Sequence, residues 1–235
     1  MINEFILCFS SAIFVLWHND HTLVDGCTVR FNIAARSAGA FRSLALAATI
    51  TNSIFSGNAA VQDHGGVYLD FAMRVIIENT VISNNTAYGE FEDLYSDIEA
   101  VGCGGLGFFN TYNVVINNCT LDSNTAHLTG GAVCILYTDN VMIRNTLING
   151  NTAITGGAVH VFNSINITID NVLVENNTVK GNGGGMAVTG SSVIFKNNSF
   201  LHNTAKMGSG SACALQESVV SLWDNSFDGN EALEG

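Results

Sequence analysis

Proline is missing from all 235 residues, where ordinary usage of about 5% would supply roughly a dozen. Varied loop shapes draw on proline, so its absence points to one kind of bend used repeatedly, and the many Asn and Gly residues suit such bends. Cations are scarce as well: eight Lys and Arg stand against twenty Asp and Glu, a net charge of −12. That balance excludes nucleic acid as a partner, because phosphate binding needs clustered Lys and Arg. Long apolar runs are almost absent. The first seventeen residues, MINEFILCFSSAIFVLW, come nearest, but they contain Glu4, lack a basic leader and a small-residue cleavage site, and are too short to span a bilayer. No membrane span is expected in this segment. Six cysteines, at 8, 27, 103, 119, 134 and 213, form no C-x-x-C pair and have no histidine at zinc spacing.

What is present is a repeat. The pattern N-x-x-apolar-x-x-N occurs at 52–58, 79–85, 118–124, 145–151, 171–177 and 197–203, with weaker copies at 26–32 and 224–230. Successive starts differ by 26, 27, 39, 27, 26, 26 and 27 residues, so the chain reads as a solenoid of about eight coils. A glycine pair or its substitute follows each second Asn, from Ala38-Gly39 to Gly208-Ser209-Gly210. These glycines mark a corner that a Cβ would obstruct. Between the Asn positions run short alternating segments rich in β-branched residues, such as VVINN, VMIRN and VIFKN, which favour strand over helix.

An all-strand repeat of this length closes as one turn of a parallel β-helix, each coil pairing with the next about 4.8 Å along the axis. Equivalent positions must then stack in columns. Val29, Phe55, Ile82, Leu121, Ile148, Val174, Phe200 and Phe227 make an inward apolar column, and Asn58, Asn85, Asn124, Asn151, Asn177 and Asn203, flanked by Asn32 and Asn230, make an asparagine ladder. Residues 1–25 read as a degenerate or capping coil, or as a truncated signal segment. Residues 26–235 hold the repeats, and both ends are expected to continue into further coils of a longer solenoid.

The signatures GGA-aliphatic, seen as GGAV at 130–133 and 156–159, and F-x-x-N, seen as FSGN at 55–58 and FDGN at 227–230, resemble the repeats of the chlamydial polymorphic outer membrane proteins. Copies with Leu, Ile or Val for Phe depart from that pattern conservatively. The resemblance implies an all-β, right-handed parallel β-helix that is secreted or displayed at a cell surface, outer membrane-associated if bacterial, and takes part in adhesion. A surface protein or glycan of a host or neighbouring cell is the partner it implies.

The scaffold also carries polysaccharide lyases and glycoside hydrolases, so an enzyme is the rival reading. Its best candidates are Arg144, Asp170 and Lys196, which fall in one column with Glu78 and Asn117; an exposed ladder of alternating charge explains the same residues without function. Asp122 and Glu175 share another column two coils apart, near the upper end of the separation in inverting glycosidases, with Asn149 between them. His160 and His202 have no evident partner. One coil is 12 residues longer than its neighbours. The excess falls at 88–101 and sets Glu90, Glu92, Asp93, Asp97 and Glu99 among Tyr88, Phe91, Leu94 and Tyr95. Insertions in a solenoid often make the binding surface, so Tyr88, Glu90, Phe91, Glu92, Asp93, Tyr95, Asp97 and Glu99 form the expected binding loop. The five acids are a weaker candidate for a divalent cation, at a spacing unlike known calcium loops; no cofactor is expected. Sequons begin at Asn84, Asn118, Asn166, Asn176 and Asn197, but the repeat itself generates Asn-Thr. Cys27 and Cys119 share a column, as do Cys134 and Cys213, each pair three coils apart and beyond bridging distance. Buried free thiols are therefore expected, with no disulfide holding the fold.

Overall fold

The structure, a computed structural model, describes residues 4–5, 13–15, 20–35, 37–89 and 102–233. The coil that begins at Tyr112 shows the plan. Tyr112–Asn117 lies in the first sheet, Thr120–Asp122 in the second, Thr125–Ala126 in the third and Val133–Leu136 in the fourth; Asp139–Arg144 then returns to the first sheet one coil on. Among the described residues, sheet 1 has nine strands and sheets 2, 3 and 4 have eight each, in strict chain order with parallel pairing. This is an all-β parallel β-helix of about eight coils, as the periodicity requires.

The register confirms the columns residue by residue. Val29, Phe55, Ile82, Leu121, Ile148, Val174, Phe200 and Phe227 are successive partners in sheet 2. Val29 to Phe200 are buried in one continuous apolar core with the inward faces of sheets 1 and 4. The long coil does not disturb this stacking: Ile82 still pairs with Leu121 and Ala87 with Ala126, so the added residues fall in the chain between sheets 3 and 4.

The two asparagines of each repeat do different work. The first, at 52, 79, 118, 145, 171 and 197, turns the corner between sheets 1 and 2 with φ between 50° and 54°, a left-handed conformation that Asn tolerates better than most residues. The second points inward. Asn151 shows its saturation: Nδ2 donates to Leu121 O at 3.0 Å and to Asn177 Oδ1 at 3.0 Å, while Oδ1 accepts from Asn124 N at 2.9 Å and Asn124 Nδ2 at 3.0 Å. All donors and lone pairs of the amide are used at a position 0% exposed. The file runs unbroken from Asn32 to Asn230, crossing the insertion through Asn85 Nδ2 and Asn124 Oδ1 at 3.0 Å. Two further inward corners repeat the device with hydroxyls, as in Thr111 N donating to Thr138 Oγ1, Thr138 N to Ser164 Oγ and Ser164 N to Ser191 Oγ.

Glycine is required in one column above all. Gly39, Gly65, Gly104, Gly131, Gly157 and Gly184 stack so closely that a Cβ on any of them would overlap a carbonyl oxygen of the following coil, up to Ser211 O above Gly184.

Candidate functional site

The outward face of sheet 1 carries the charge column. Glu78, Asn117, Arg144, Asp170 and Lys196 are successive register partners, so the three residues of the lyase-like candidate do lie in adjacent coils. Arg144 and Lys196 are exposed and Asp170 is half-buried. Among the described residues neither cation forms an ion pair with Asp170, which instead accepts from Asn197 Nδ2 at 3.0 Å. Beside this column runs a shallow groove of about 540 Å³ with Val115 and Met142 on its floor and Arg74, Asn113, Asn140 and Asn166 along it. No carboxylate lines it. Asp122, Asn149 and Glu175 are register partners in sheet 2; Asn149 Nδ2 donates to Asp122 Oδ1 at 2.6 Å and fills the space between the acids.

Sheet 4 differs from the others in that much of its outer face is covered. The outward column Arg42, Tyr68, Gly107, Cys134, His160, Ala187 and Ala214 lies beneath the segments that lead from sheet 3 into sheet 4. At its N-terminal end His64, 3% exposed, stacks on Tyr68 with ring centroids 4.0 Å apart, in space that a Cβ at Gly107 would fill. Arg42 Nη2 reaches Asp70 Oδ2 at 3.3 Å, and its guanidinium lies 5.0 Å from the Tyr68 ring centroid. Burial lowers the His64 pKa to about 3, assisted by Arg42, and that of His160 to about 4. Both imidazoles are therefore neutral at physiological pH. Burial also raises the Tyr68 hydroxyl and the Asp70 carboxyl above their ordinary ranges, Arg42 opposing both.

Next along the axis, Cys103 and Cys134 form a disulfide between adjacent coils, Cα atoms 5.9 Å apart. This corrects the expectation of free thiols. The earlier comparison paired cysteines within one column, whereas Cys103 and Cys134 occupy different columns, and Gly130, lacking a Cβ, leaves the space their sulfurs fill. Cys27 is also disulfide-bonded. Cys119 and Cys213 are free thiols, with pKa values pushed by burial to about 11 and about 12.

The disulfide and Leu136 pack as a second apolar cluster, outside the core, against Phe109 and Phe162. These two rings belong to a zigzag that the sequence reading missed. Phe71, Phe109, Tyr137 and Phe162 come one from each of four successive coils, and their centroids follow edge to face at 6.1, 5.7 and 5.6 Å. Phe109 and Phe162 occupy the column of Asp70, Leu136 and Thr189; Phe71 and Tyr137 sit one position further, at the corner leading to sheet 1. That corner has φ between 45° and 59° at Asn110, Asn163 and Gly190 as well as at Phe71 and Tyr137. A left-handed conformation costs an ordinary side chain about 1–2 kcal/mol, and both corner aromatics are 44% exposed, so burial repays only part of it. Extending the columns past the end of each sheet-4 strand would have revealed the alternation Phe71, Asn110, Tyr137, Asn163. Beyond Phe162 the face continues as a cleft of about 500 Å³ along which lie Thr155, Asn182, Thr189, Ser209 and Gln216; none of its lining residues is charged.

In the chain, the expected binding loop at 88–101 falls in the connection from Thr86–Ala87 of sheet 3 to Leu106–Phe109 of sheet 4. Tyr88 is 42% exposed and meets His127 edge to face at 5.4 Å. Glu90, Phe91, Glu92, Asp93, Leu94, Tyr95, Asp97 and Glu99 lie outside the described residues. Among the described residues no three His, Cys, Asp or Glu side chains form a group able to hold a metal ion, and no helix is long and apolar enough to cross a membrane. The sequon residues Asn84, Asn118, Asn166, Asn176 and Asn197 are all exposed with φ between 51° and 60°.

A single solenoid of parallel coils with ladder-filled corners defines the class, and the sequence agrees. Residues 3–173 match the family described as right-handed β-helix region, and the chain belongs to that family. No curated protein matches the chain. Among solved structures, it is similar to a crystal structure from Parabacteroides merdae, provisionally described as a glycosyl hydrolase, at 13% identity and a TM-score of 0.37, over 72% of this chain and 82% of that one. A likeness that distant does not extend to activity.

Proposed function

We propose that this chain is a non-enzymatic recognition scaffold, secreted or carried at a cell surface, which adheres to a surface protein or glycan of a host or neighbouring cell. The observation that carries this reading is the lining of the two grooves found among the described residues, on sheets 1 and 4. Amides, hydroxyls and apolar groups predominate in both, with Arg74 in one and Cys213 in the other, and neither presents a carboxylate or imidazole, the groups that most often carry general acid–base chemistry. The Cys103–Cys134 bridge supports the extracellular part of this reading, since disulfides persist in oxidising surroundings.

The rival reading, a polysaccharide lyase or hydrolase, draws on the column of Arg144, Asp170 and Lys196 beside the sheet-1 groove. Purified protein offered to a panel of fixed bacterial and animal cells is expected to bind saturably to at least one, and to release neither reducing ends nor unsaturated sugars from neutral or acidic polysaccharides. Turnover that disappears in Arg144→Ala, Asp170→Asn or Lys196→Ala would replace the scaffold reading with the enzymatic one.

A further inference from the structure

We infer that the aromatic zigzag of sheet 4 and the uncharged cleft beyond it form one binding site for an extended, neutral glycan chain lying along the solenoid axis, an assignment that rests on the recognition reading and names its ligand. The first argument is the chemistry of the surface. Phe71, Phe109, Tyr137 and Phe162 offer an apolar aromatic platform; in the corner column Asn110 falls between Phe71 and Tyr137, and Asn163 follows Tyr137 with its amide oxygen directed at Gly190. A pyranoside presents C–H groups on its faces and hydroxyls at its edge, and this alternation answers both. The adjoining cleft continues with Thr155, Asn182, Thr189 and Gln216, again hydroxyls and amides.

Charge narrows the class. The protein carries −12 overall, and the cleft has no charged lining residue. The Arg42 guanidinium, at the far end of the face, is held by Asp70 and Ser37. An acidic polysaccharide would find long-range repulsion and no free cation at the cleft, whereas a neutral chain meets no penalty.

Size and period decide between a chain and a folded protein. The zigzag advances three coils, about 14 Å at a rise of about 4.8 Å each, and is two columns wide. A standard protein interface covers about 800 Å² per partner and engages 20–30 residues, far more than this narrow stripe presents. Rings in the same column, Phe109 and Phe162 or Phe71 and Tyr137, recur every second coil, about 9.6 Å apart, a step on the scale of two sugars in an extended β-linked chain.

The test uses neutral hexaoses of β-1,4-linked glucose, mannose, xylose and N-acetylglucosamine, with polygalacturonate as the charged probe, followed by saturation-transfer NMR and titration. At least one neutral hexaose is expected to bind, and polygalacturonate is not. Tyr137→Asn and Phe162→Thr install residues that the neighbouring coils already use in those columns, at Asn110 and Asn163 and at Thr189. Each should keep the fold, Tyr137→Asn with unchanged or raised thermal stability, yet weaken binding by at least about tenfold, equivalent to about 1.4 kcal/mol. Arg30→Ala, on the exposed face of sheet 2, should leave affinity unchanged. Failure of every neutral hexaose, preference for polygalacturonate, or affinity indifferent to both aromatic substitutions would overturn the assignment. Cell adhesion measured after periodate or after protease treatment separates the two levels. Adhesion that survives periodate but not protease removes the glycan and leaves the recognition scaffold, and no adhesion to untreated cells removes both.

Discussion

Replacing Asn151 by Ala should harm the protein several times more than the same change at Asn230, although both belong to one ladder. At Asn151 the amide accepts from Asn124 N and Asn124 Nδ2 and donates to Leu121 O. Its removal strands an N–H, one amide hydrogen and a carbonyl at a position 0% exposed, where water cannot substitute. An orphaned buried polar group costs about 1–3 kcal/mol, so two or three of them give about 3–6 kcal/mol after allowance for relaxation. Asn230 makes the same kinds of bond, accepting from Asn203 and donating to Phe200 O at 2.8 Å, but it is only half-buried. Water can replace the lost amide there, and the loss should be nearer the net value of a hydrogen bond, about 0.5–1.5 kcal/mol. Urea denaturation gives the totals, and native-state hydrogen exchange at the Asn124 and Asn203 amides gives the local terms, which matters because long repeat arrays need not unfold in one step. Equal losses at the two positions, within about 1 kcal/mol, would refute the saturation argument.

Acidification should destabilise the fold between pH 6.5 and about 4, because His64 and His160 are held neutral in the fold with pKa values near 3 and 4 while the unfolded chain binds their protons near 6.5. Each contributes about 1.4 kcal/mol per pH unit in that window, Asp70, whose carboxyl is raised, returns some of it once protonated, and His160→Gln should remove about half of the slope in denaturation midpoints. Reducing the Cys103–Cys134 bridge, or replacing both cysteines by Ala, should lower stability by about 3–4 kcal/mol for its separation of 31 residues; a denaturant midpoint unmoved by reductant would contradict this. Cys119, buried and with its thiol pushed to about 11, should resist a thiol reagent at pH 8 until denaturant is added, and rapid labelling of Cys119 in the native protein would show that its site is not closed.

What the sequence disclosed and what it hid follow from one distinction. Anything repeating at 26 or 27 residues was legible: the inward file from Val29 to Phe227, the ladder from Asn32 to Asn230, the register of Glu78 with Asn117, Arg144, Asp170 and Lys196, and the position of the insertion in the chain. Features joining different columns were not. The Cys103–Cys134 bridge crosses between two files, and a search confined to like positions passed over it. The zigzag of Phe71, Phe109, Tyr137 and Phe162 alternates between files, so neither file looks aromatic by itself. Burial of His64 and His160 was equally hidden, because it depends on how the connections fold over the outside of sheet 4, which periodicity does not specify.

The interior file of amides has a consequence for how such a protein changes over generations. Each asparagine binds its neighbour through groups that every other asparagine in the file also offers, so any coil can follow any other without a new contact being invented. An in-frame duplication or deletion of 26 or 27 codons would lengthen or shorten the molecule and leave the join indistinguishable from the rest. The outer face grows or shrinks by the same increment, which makes reach a trait that copying errors alone can tune.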